Sequence, residues 1–537
     1  MIERVEAIRS SAWLIRIAAP VVALALLASG CTAPTQPNVA PSPSLSPTAG
    51  IRISAVPGIA VDRPTTTPSQ PDVDGLVVGL PGRGLTPYLK QKLSWRNCHE
   101  GDDTVCTTVL APLDYADPQS RAVTLALRKL PATATPRLGT LFINPGGPGA
   151  SGRDLVSSFD SAGLEQYDIL GWDPRGTGGS TPIRCLNDAQ AEAYANLDAS
   201  PDDAAEREAL IQANYDFGQS CRERNGDLLD HIGTVDTVQD LDLLRALVKD
   251  SSLNYLGYSY GTQIGATYAE LYGGNVGHLV LDAAVDITDN SEVIQAQGFD
   301  LALGNFAAWC ADQQCGLGDT KKKVLATITT FIDDLDAHPL PVEDRMLTQT
   351  LAMTGIAMAL YGGKASWDPL AVILRRAMAG DGSNLLLAAD QLNGRDEDGH
   401  FDTMFYAFPA ISCLDTKEKG VLDADRVWAV DQRKAPIFGK YFGPSYTCPL
   451  WPARPSSYLT LHLKGAAAPP IVVIGGTGDN ATPYQQAVSM ADQLRSAVLV
   501  TYEGQGHGSY GKSACINKVV VAYLTKNDVP ADGTRCT

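Results

Sequence analysis

Two patterns of apolar residues alternate along the chain. Short, nearly unbroken apolar runs bounded by glycines and polar turns predict buried strands. They are Thr140-Leu141-Phe142-Ile143, Tyr167-Asp168-Ile169-Leu170-Gly171-Trp172, Ser252-Leu253-Asn254-Tyr255-Leu256, His278-Leu279-Val280-Leu281-Asp282, Pro470-Ile471-Val472-Val473-Ile474 and Ala497-Val498-Leu499-Val500-Thr501-Tyr502. Helix-like stretches separate them, such as Thr262 to Leu271. Strands alternating with helices predict a mainly parallel sheet covered on both faces. Beyond the strand at 278–282 the pattern changes to helical spacing, as in Phe299–Cys310 and Lys321–Leu335. We therefore expect a core over 85–287, a largely helical insertion over 288–465, and the core resuming over 466–537.

The turns after these strands carry the chemistry. Gly257-Tyr258-Ser259-Tyr260-Gly261 joins a strand to a helix, the context of a nucleophile elbow. Its glycines leave room for a strained turn that lifts the serine above the sheet, and the helix start offers N–H groups to a developing oxyanion. In an α/β-hydrolase the triad runs Ser, then Asp or Glu, then His. Here the strand 470–474 runs into Gly475-Gly476-Thr477-Gly478-Asp479, and the next strand ends in Gly504-Gln505-Gly506-His507-Gly508. Of seven histidines, His507 alone follows the acid in a strand-then-glycine setting. Neutral imidazole would take the serine proton, and a buried carboxylate would fix the tautomer and stabilise the imidazolium. Ser259, Asp479 and His507 are the expected triad, with Asp282 and Asp286 as the alternative acids. A glycine cluster after the strand 140–143, Asn144-Pro145-Gly146-Gly147-Pro148-Gly149, is expected to add backbone donors from Gly146 and Gly147 to that of Tyr260. No Gly-Lys-Ser/Thr follows it, which argues against a nucleotide loop.

Five motifs taken together resemble the proline iminopeptidase and tripeptidyl aminopeptidase group, and most of all its secreted actinobacterial branch with the mycobacterial cell-envelope serine hydrolases. They are the Asn144–Gly149 run, the Asp173-x-Arg175-Gly176-x-Gly178-x-Ser180 turn, Gly-Tyr-Ser-Tyr-Gly, Gly475-Gly476-Thr477-x-Asp479-x-x-Thr482-Pro483 and Gly504-x-Gly506-His507-Gly508. The resemblance runs from about Leu93 to the C-terminus. It implies an α/β-hydrolase fold with an inserted cap, and a serine peptidase that releases short peptides from free N-termini. Many iminopeptidases open the oxyanion cluster with His-Gly-Gly-Pro-Gly; Asn144-Pro145-Gly146 here favours tripeptide release or a broader activity over strict removal of N-terminal proline. A carboxylesterase or lipase would use the same triad, so the cap has to separate the two. A serine at the elbow argues against dehalogenase or epoxide-hydrolase chemistry, and a complete triad argues against a non-enzymatic binding lipoprotein. An exopeptidase needs a carboxylate for the substrate ammonium. Asp415, beside Cys413, is the candidate, with a plain surface turn as its alternative.

Arg4, Arg9 and Arg16 precede an apolar run from Ile17 to Ala28 and the sequence Leu27-Ala28-Ser29-Gly30-Cys31. That run is too short to span a bilayer and fits a signal peptide over 1–30. The small pair before Cys31 resembles a lipobox, so acylation at Cys31 is expected, with ordinary cleavage as the alternative. A Pro/Ser/Thr-rich tether over 31–84 has no periodicity and cannot bury enough apolar surface to fold. The enzyme is thus expected to be exported and held at the outer face of the membrane or in the cell envelope. Setting Cys31 aside leaves ten of the eleven cysteines, an even number suited to an oxidising compartment. Neighbouring pairs are the simplest connectivity: Cys98–Cys106, Cys185–Cys221, Cys310–Cys315, Cys413–Cys448 and Cys515–Cys536. No Cys-x-x-Cys or adjacent histidine pair suggests zinc, and neither metal nor cofactor is expected. The net charge of −18 argues against nucleic acid or anionic membrane surfaces as partners.

Overall fold

The computed structural model describes residues 75–99, 103–288, 293–416, 419–455 and 462–537. The expected signal peptide, Cys31 and most of the tether lie outside the described residues. In chain order the strands are β1 (Val77–Val78), β2 (Arg96–Asn97), β3 (Val105–Pro112), β4 (Arg121–Leu130), β5 (Gly139–Asn144), β6 (Tyr167–Trp172), β7 (Leu253–Tyr258), β8 (Val276–Asp282), β9 (Leu340–Val342), β10 (Arg345–Leu347), β11 (Ile471–Gly478), β12 (Ala497–Gln505) and β13 (Thr534–Cys536). All but β9 and β10 join one sheet in the order β13-β12-β11-β8-β7-β5-β6-β4-β3-β2, with β1 on β4. From β6 to β13 every pairing is parallel; β1 to β4 add an antiparallel edge. With the helices that cover it, this is an α/β-hydrolase fold.

The unbroken apolar runs have a simple cause: β5, β6 and β7 are buried at every position, as strands covered on both faces must be. Alternate side chains divide between two cores. Leu141, Ile143, Leu256, Val280, Val472 and Ile474 meet Ile516, Val520 and Leu524 of the helix Ala514–Lys526. Phe142, Tyr255, Leu279, Leu281, Ile471 and Val473 meet the helices Thr234–Leu247 and Tyr260–Leu271.

The register aligns the chemistry. Asn144 of β5 pairs with Gly257 of β7, Tyr258 with Asp282 of β8, and Asp282 with Ile474 of β11. β11 runs four residues further, to Gly478 opposite Gln505 of β12. The turns bearing glycines, Ser259, Asp479 and His507 therefore leave the same edge, where parallel sheets build their sites.

Between β8 and β11 stand helices with a core of their own. Phe299, Leu303, Phe306, Ile328, Ile356, Leu370 and Leu374 meet there, away from the sheet. The helix Lys321–Ala337 buries Val324, Ile328, Ile332 and Leu335, a single stripe at helical spacing. The helix Met404–Asp415 belongs to both sides. Met404 and Phe408 enter this helical core, whereas Phe405, Tyr406, Ala410, Ile411 and Leu414 enter a sheet-side one. Disulfides join Cys98–Cys106, Cys185–Cys221, Cys310–Cys315, Cys413–Cys448 and Cys515–Cys536. Five such bonds place the folded part in an oxidising compartment. No described helix is long and apolar enough to cross a membrane.

Candidate active site

Ser259 stands between β7 and the helix Tyr260–Leu271 at φ 54° and ψ −127°, a region that costs a non-glycine residue of order 1–3 kcal/mol. Neighbours enforce it. The N–H of Ser259 donates to the carbonyl of Asp282 at 3.0 Å, and the Ser259 carbonyl accepts from Thr262 N at 2.8 Å and Thr262 Oγ1 at 2.6 Å. The motif glycines let chains cross here. A Cβ on Gly257 would stand 2.5 Å from the Gly261 carbonyl, and one on Gly261 2.9 Å from Asn144 Oδ1.

His507 lies just past β12, and Asp479 just past β11. The imidazole Nδ1 is 2.8 Å from Asp479 Oδ1 and 3.0 Å from Oδ2. A carboxylate accepts, so Nδ1 carries the hydrogen and Nε2 the lone pair. Nε2 is buried and has no partner among the described residues. It is the atom that general-base chemistry uses. Asp479 is itself held: Oδ1 accepts from Ala481 N at 3.0 Å and Thr482 N at 2.9 Å, and Oδ2 from Gly508 N at 3.3 Å. Neither alternative acid reaches the ring. Asp286 accepts from the N–H and hydroxyl of Thr288. Asp282 accepts from Ser509 and Tyr510 N–H, and burial pushes its carboxyl up from the ordinary range.

The glycine cluster divides its work differently from the sequence expectation. The N–H of Gly146 donates to Asn144 Oδ1 at 2.9 Å, so that donor is closed to a substrate. Gly146 contributes space instead, because a Cβ there would lie 2.9 Å from Ser259 Cβ and 2.5 Å from the Tyr258 carbonyl. The N–H groups of Gly147 and Tyr260 have no acceptor among the described residues. Open backbone amides of this kind are the groups that can hold an oxyanion. The Asp173–Ser180 motif is scaffolding for this edge. Arg175, fully buried, donates to both oxygens of Asp240 and to the carbonyls of Pro112, Leu113 and His231.

Asp415 ends the helix Met404–Asp415 and faces the start of the helix Thr234–Leu247. It accepts from Thr234 N at 3.1 Å, Thr234 Oγ1 at 2.6 Å and Gln263 Nε2 at 3.3 Å. The Thr234 hydroxyl also meets that of Tyr260, the residue after the nucleophile. Gly233 has no side chain to cap that helix, so Asp415 caps it from outside. Burial pushes its carboxyl up to about 7.

Sequence reading missed Tyr361. Its carbonyl accepts the His507 N–H at 3.2 Å, and its ring stands edge-on to the imidazole at 5.4 Å. It sits more than a hundred residues before His507 without a local motif, so nothing in the sequence marks it. It also missed Lys512, whose ammonium donates to the His507 carbonyl. The helix Met404–Asp415 borders two cavities. One is lined by Phe405, Phe408, Pro409, Met353, Tyr194 and Phe442, with no charged side chain in its wall. The other joins Gly149, Ala150 and Ser151 to Asp154, Asp173 and Asp402. Burial pushes the Asp402 carboxyl up to about 6. Among the described residues no group of His, Cys, Asp and Glu is arranged to hold a metal.

Known proteins match this chain over most of its length. The family model described as TAP-like protein matches residues 435–536. The serine protease Hip1 of Mycobacterium tuberculosis is 35% identical over 499 residues, covering 86% of this chain and 94% of that one. Carboxylesterase B of the same species is 36% identical over 488 residues, 85% and 92% of the two chains. Tripeptidyl aminopeptidase of Streptomyces coelicolor is 29% identical over 454 residues, 80% and 82%. With 35% identity to Hip1 over 86% of its length and an α/β-hydrolase fold, the chain belongs to the TAP-like family of serine peptidases in the α/β-hydrolase superfamily.

Proposed function

We propose that Ser259, His507 and Asp479 are the catalytic triad of an exported aminopeptidase that releases short peptides, tripeptides first, from free N-termini. One observation carries the triad: His507 Nε2 is buried and unpartnered while Nδ1 is held by Asp479. In the proposed reaction Ser259 Oγ bonds to the scissile carbonyl carbon as its proton passes to Nε2. The carbonyl oxygen takes the negative charge and is held by the N–H groups of Gly147 and Tyr260. Collapse expels the amine, which leaves with the proton from Nε2. Water then attacks the acyl-enzyme by the same route and frees the peptide acid.

The free-amine preference is supported by Asp415, which holds the Thr234 hydroxyl that also meets Tyr260, and by Asp154 and Asp402 in the polar cavity beside Gly149. The helices between β8 and β11 act as a cap that keeps long chains from passing through. Kinetics on tripeptide-nitroanilides, free and N-acetylated, test this beside short-chain esters. Acetylation should cut kcat/KM at least about tenfold, the worth of a lost charge-assisted contact, and Asp415→Asn should shrink that gap if Asp415 holds the amine. Equal rates on both forms would abandon the aminopeptidase for the second reading, a carboxylesterase, which the 36% identity to carboxylesterase B favours. Anchoring through acylated Cys31 completes the proposal, supported by the lipobox-like run Leu27–Cys31. Cys31→Ala should move the protein from the detergent-soluble membrane fraction to the medium, and an unchanged distribution would refute the anchor.

A further inference from the structure

Asp282 is a fully buried carboxyl with no part in the proton transfers above. It closes β8 directly opposite Tyr258, the residue before the nucleophile. Its backbone carbonyl accepts the Ser259 N–H at 3.0 Å. Its Oδ2 accepts the N–H groups of Ser509 at 2.9 Å and Tyr510 at 2.7 Å, two and three residues after His507. Its Oδ1 is buried and has no partner among the described residues. One residue thus holds the nucleophile's backbone with its main chain and the histidine loop with its side chain.

Other groups also hold that loop. Tyr361 takes the His507 N–H, Lys512 donates to the His507 carbonyl, and Asp479 takes the Gly508 N–H. Of these groups, Asp282 is the one that also holds the Ser259 backbone. We propose that Asp282 is a positioning residue that sets the placement of His507 relative to Ser259, acting through the acceptor oxygen that clamps the Ser509 and Tyr510 amides. The inference rests on the triad reading above.

The chemistry of the clamp gives it a signature. Both amides converge on one oxygen, and the other oxygen meets nothing. The clamp therefore needs one acceptor and no charge, which an asparagine supplies. A carboxylate acting on His507 by its charge needs the charge itself. Loosening the loop would harm the proton transfer, which depends on alignment, more than substrate binding, which does not. A misplacement near 1 Å can cost about a hundredfold in rate.

The test compares Asp282→Asn and Asp282→Ser in the full chain. Kinetics use the best tripeptide-nitroanilide, with fluorophosphonate labelling of Ser259 and thermal melting alongside. Asp282→Asn should keep kcat within about threefold of wild type, whereas Asp282→Ser should lose about 10- to 100-fold in kcat with KM nearly unchanged. The branched variant Asp282→Thr takes its place if Asp282→Ser does not fold. A collapse of Asp282→Asn to the level of Asp479→Asn would overturn the proposal in favour of a charge role. Full kcat in a folded Asp282→Ser or Asp282→Thr would overturn it outright. Labelling of wild type at some other serine would instead bring down the triad, and the positioning role with it.

Discussion

Replacing Asp479 with asparagine removes a charge while keeping the shape, and the structure indicates what that should do. Oδ1 receives three donors: His507 Nδ1 at 2.8 Å, Ala481 N at 3.0 Å and Thr482 N at 2.9 Å. The asparagine oxygen must take this position, because two fixed backbone amides point at it. Its NH₂ then falls where Oδ2 was, 3.3 Å from Gly508 N and 3.0 Å from Nδ1. Donor meets donor there. The lost charge-assisted bond to the imidazolium is worth about 1.5–3 kcal/mol, and the unsatisfied buried donors add about 1–3 kcal/mol. Together they raise the barrier by about 2.5–6 kcal/mol, or about 10²- to 10⁴-fold in kcat/KM at 1.36 kcal/mol per decade. The assay is kcat/KM on a free tripeptide-nitroanilide, with melting to confirm the fold. A folded Asp479→Asn enzyme that kept more than a tenth of wild-type kcat/KM would refute the reasoning.

Ser259→Ala should abolish fluorophosphonate labelling and lower turnover by several orders of magnitude with the fold intact; Ser259→Gly should be equally inactive yet more stable by about 1 kcal/mol, because glycine accepts φ 54° without strain. Opening the Cys413–Cys448 bridge, which spans 35 residues, with a double serine variant should cost about 2–4 kcal/mol in denaturant unfolding. Asp415 titrates in the folded protein near 7, above its unfolded value of 3.8. The native state therefore holds its proton longer, and this group's stabilisation is complete below the unfolded value and is lost as pH rises through 7. Melting of Asp415→Asn should accordingly gain on wild type between pH 4 and 7, and parallel curves would show that the carboxyl is not buried as described.

The sequence by itself determined the layout. Runs such as Leu141–Ile143 and Ile471–Ile474 are apolar at every position because strands covered on both faces have no wet side, so they are legible without a structure. The order serine, acid, histidine and the glycines around each are local patterns too, and the nearest-neighbour cysteine pairs are the pairs that form. Tertiary structure decided whatever depends on partners far apart in the chain. Three carboxylates, Asp282, Asp286 and Asp479, all sat in suitable turns; only the register of β8, β11 and β12 brings one of them to His507 Nδ1. The glycine cluster was visible, but the Asn144 side chain closes the Gly146 donor and leaves Gly147 and Tyr260 open. The sequence offers Asp415 as a carboxylate for a substrate amine, and only the fold shows that it also caps a helix that begins 181 residues earlier. Tyr361 and Lys512 carry no motif at all. Periodicity and turn chemistry are written into neighbouring residues, whereas a hydrogen bond between distant turns exists only once the sheet has aligned its strands.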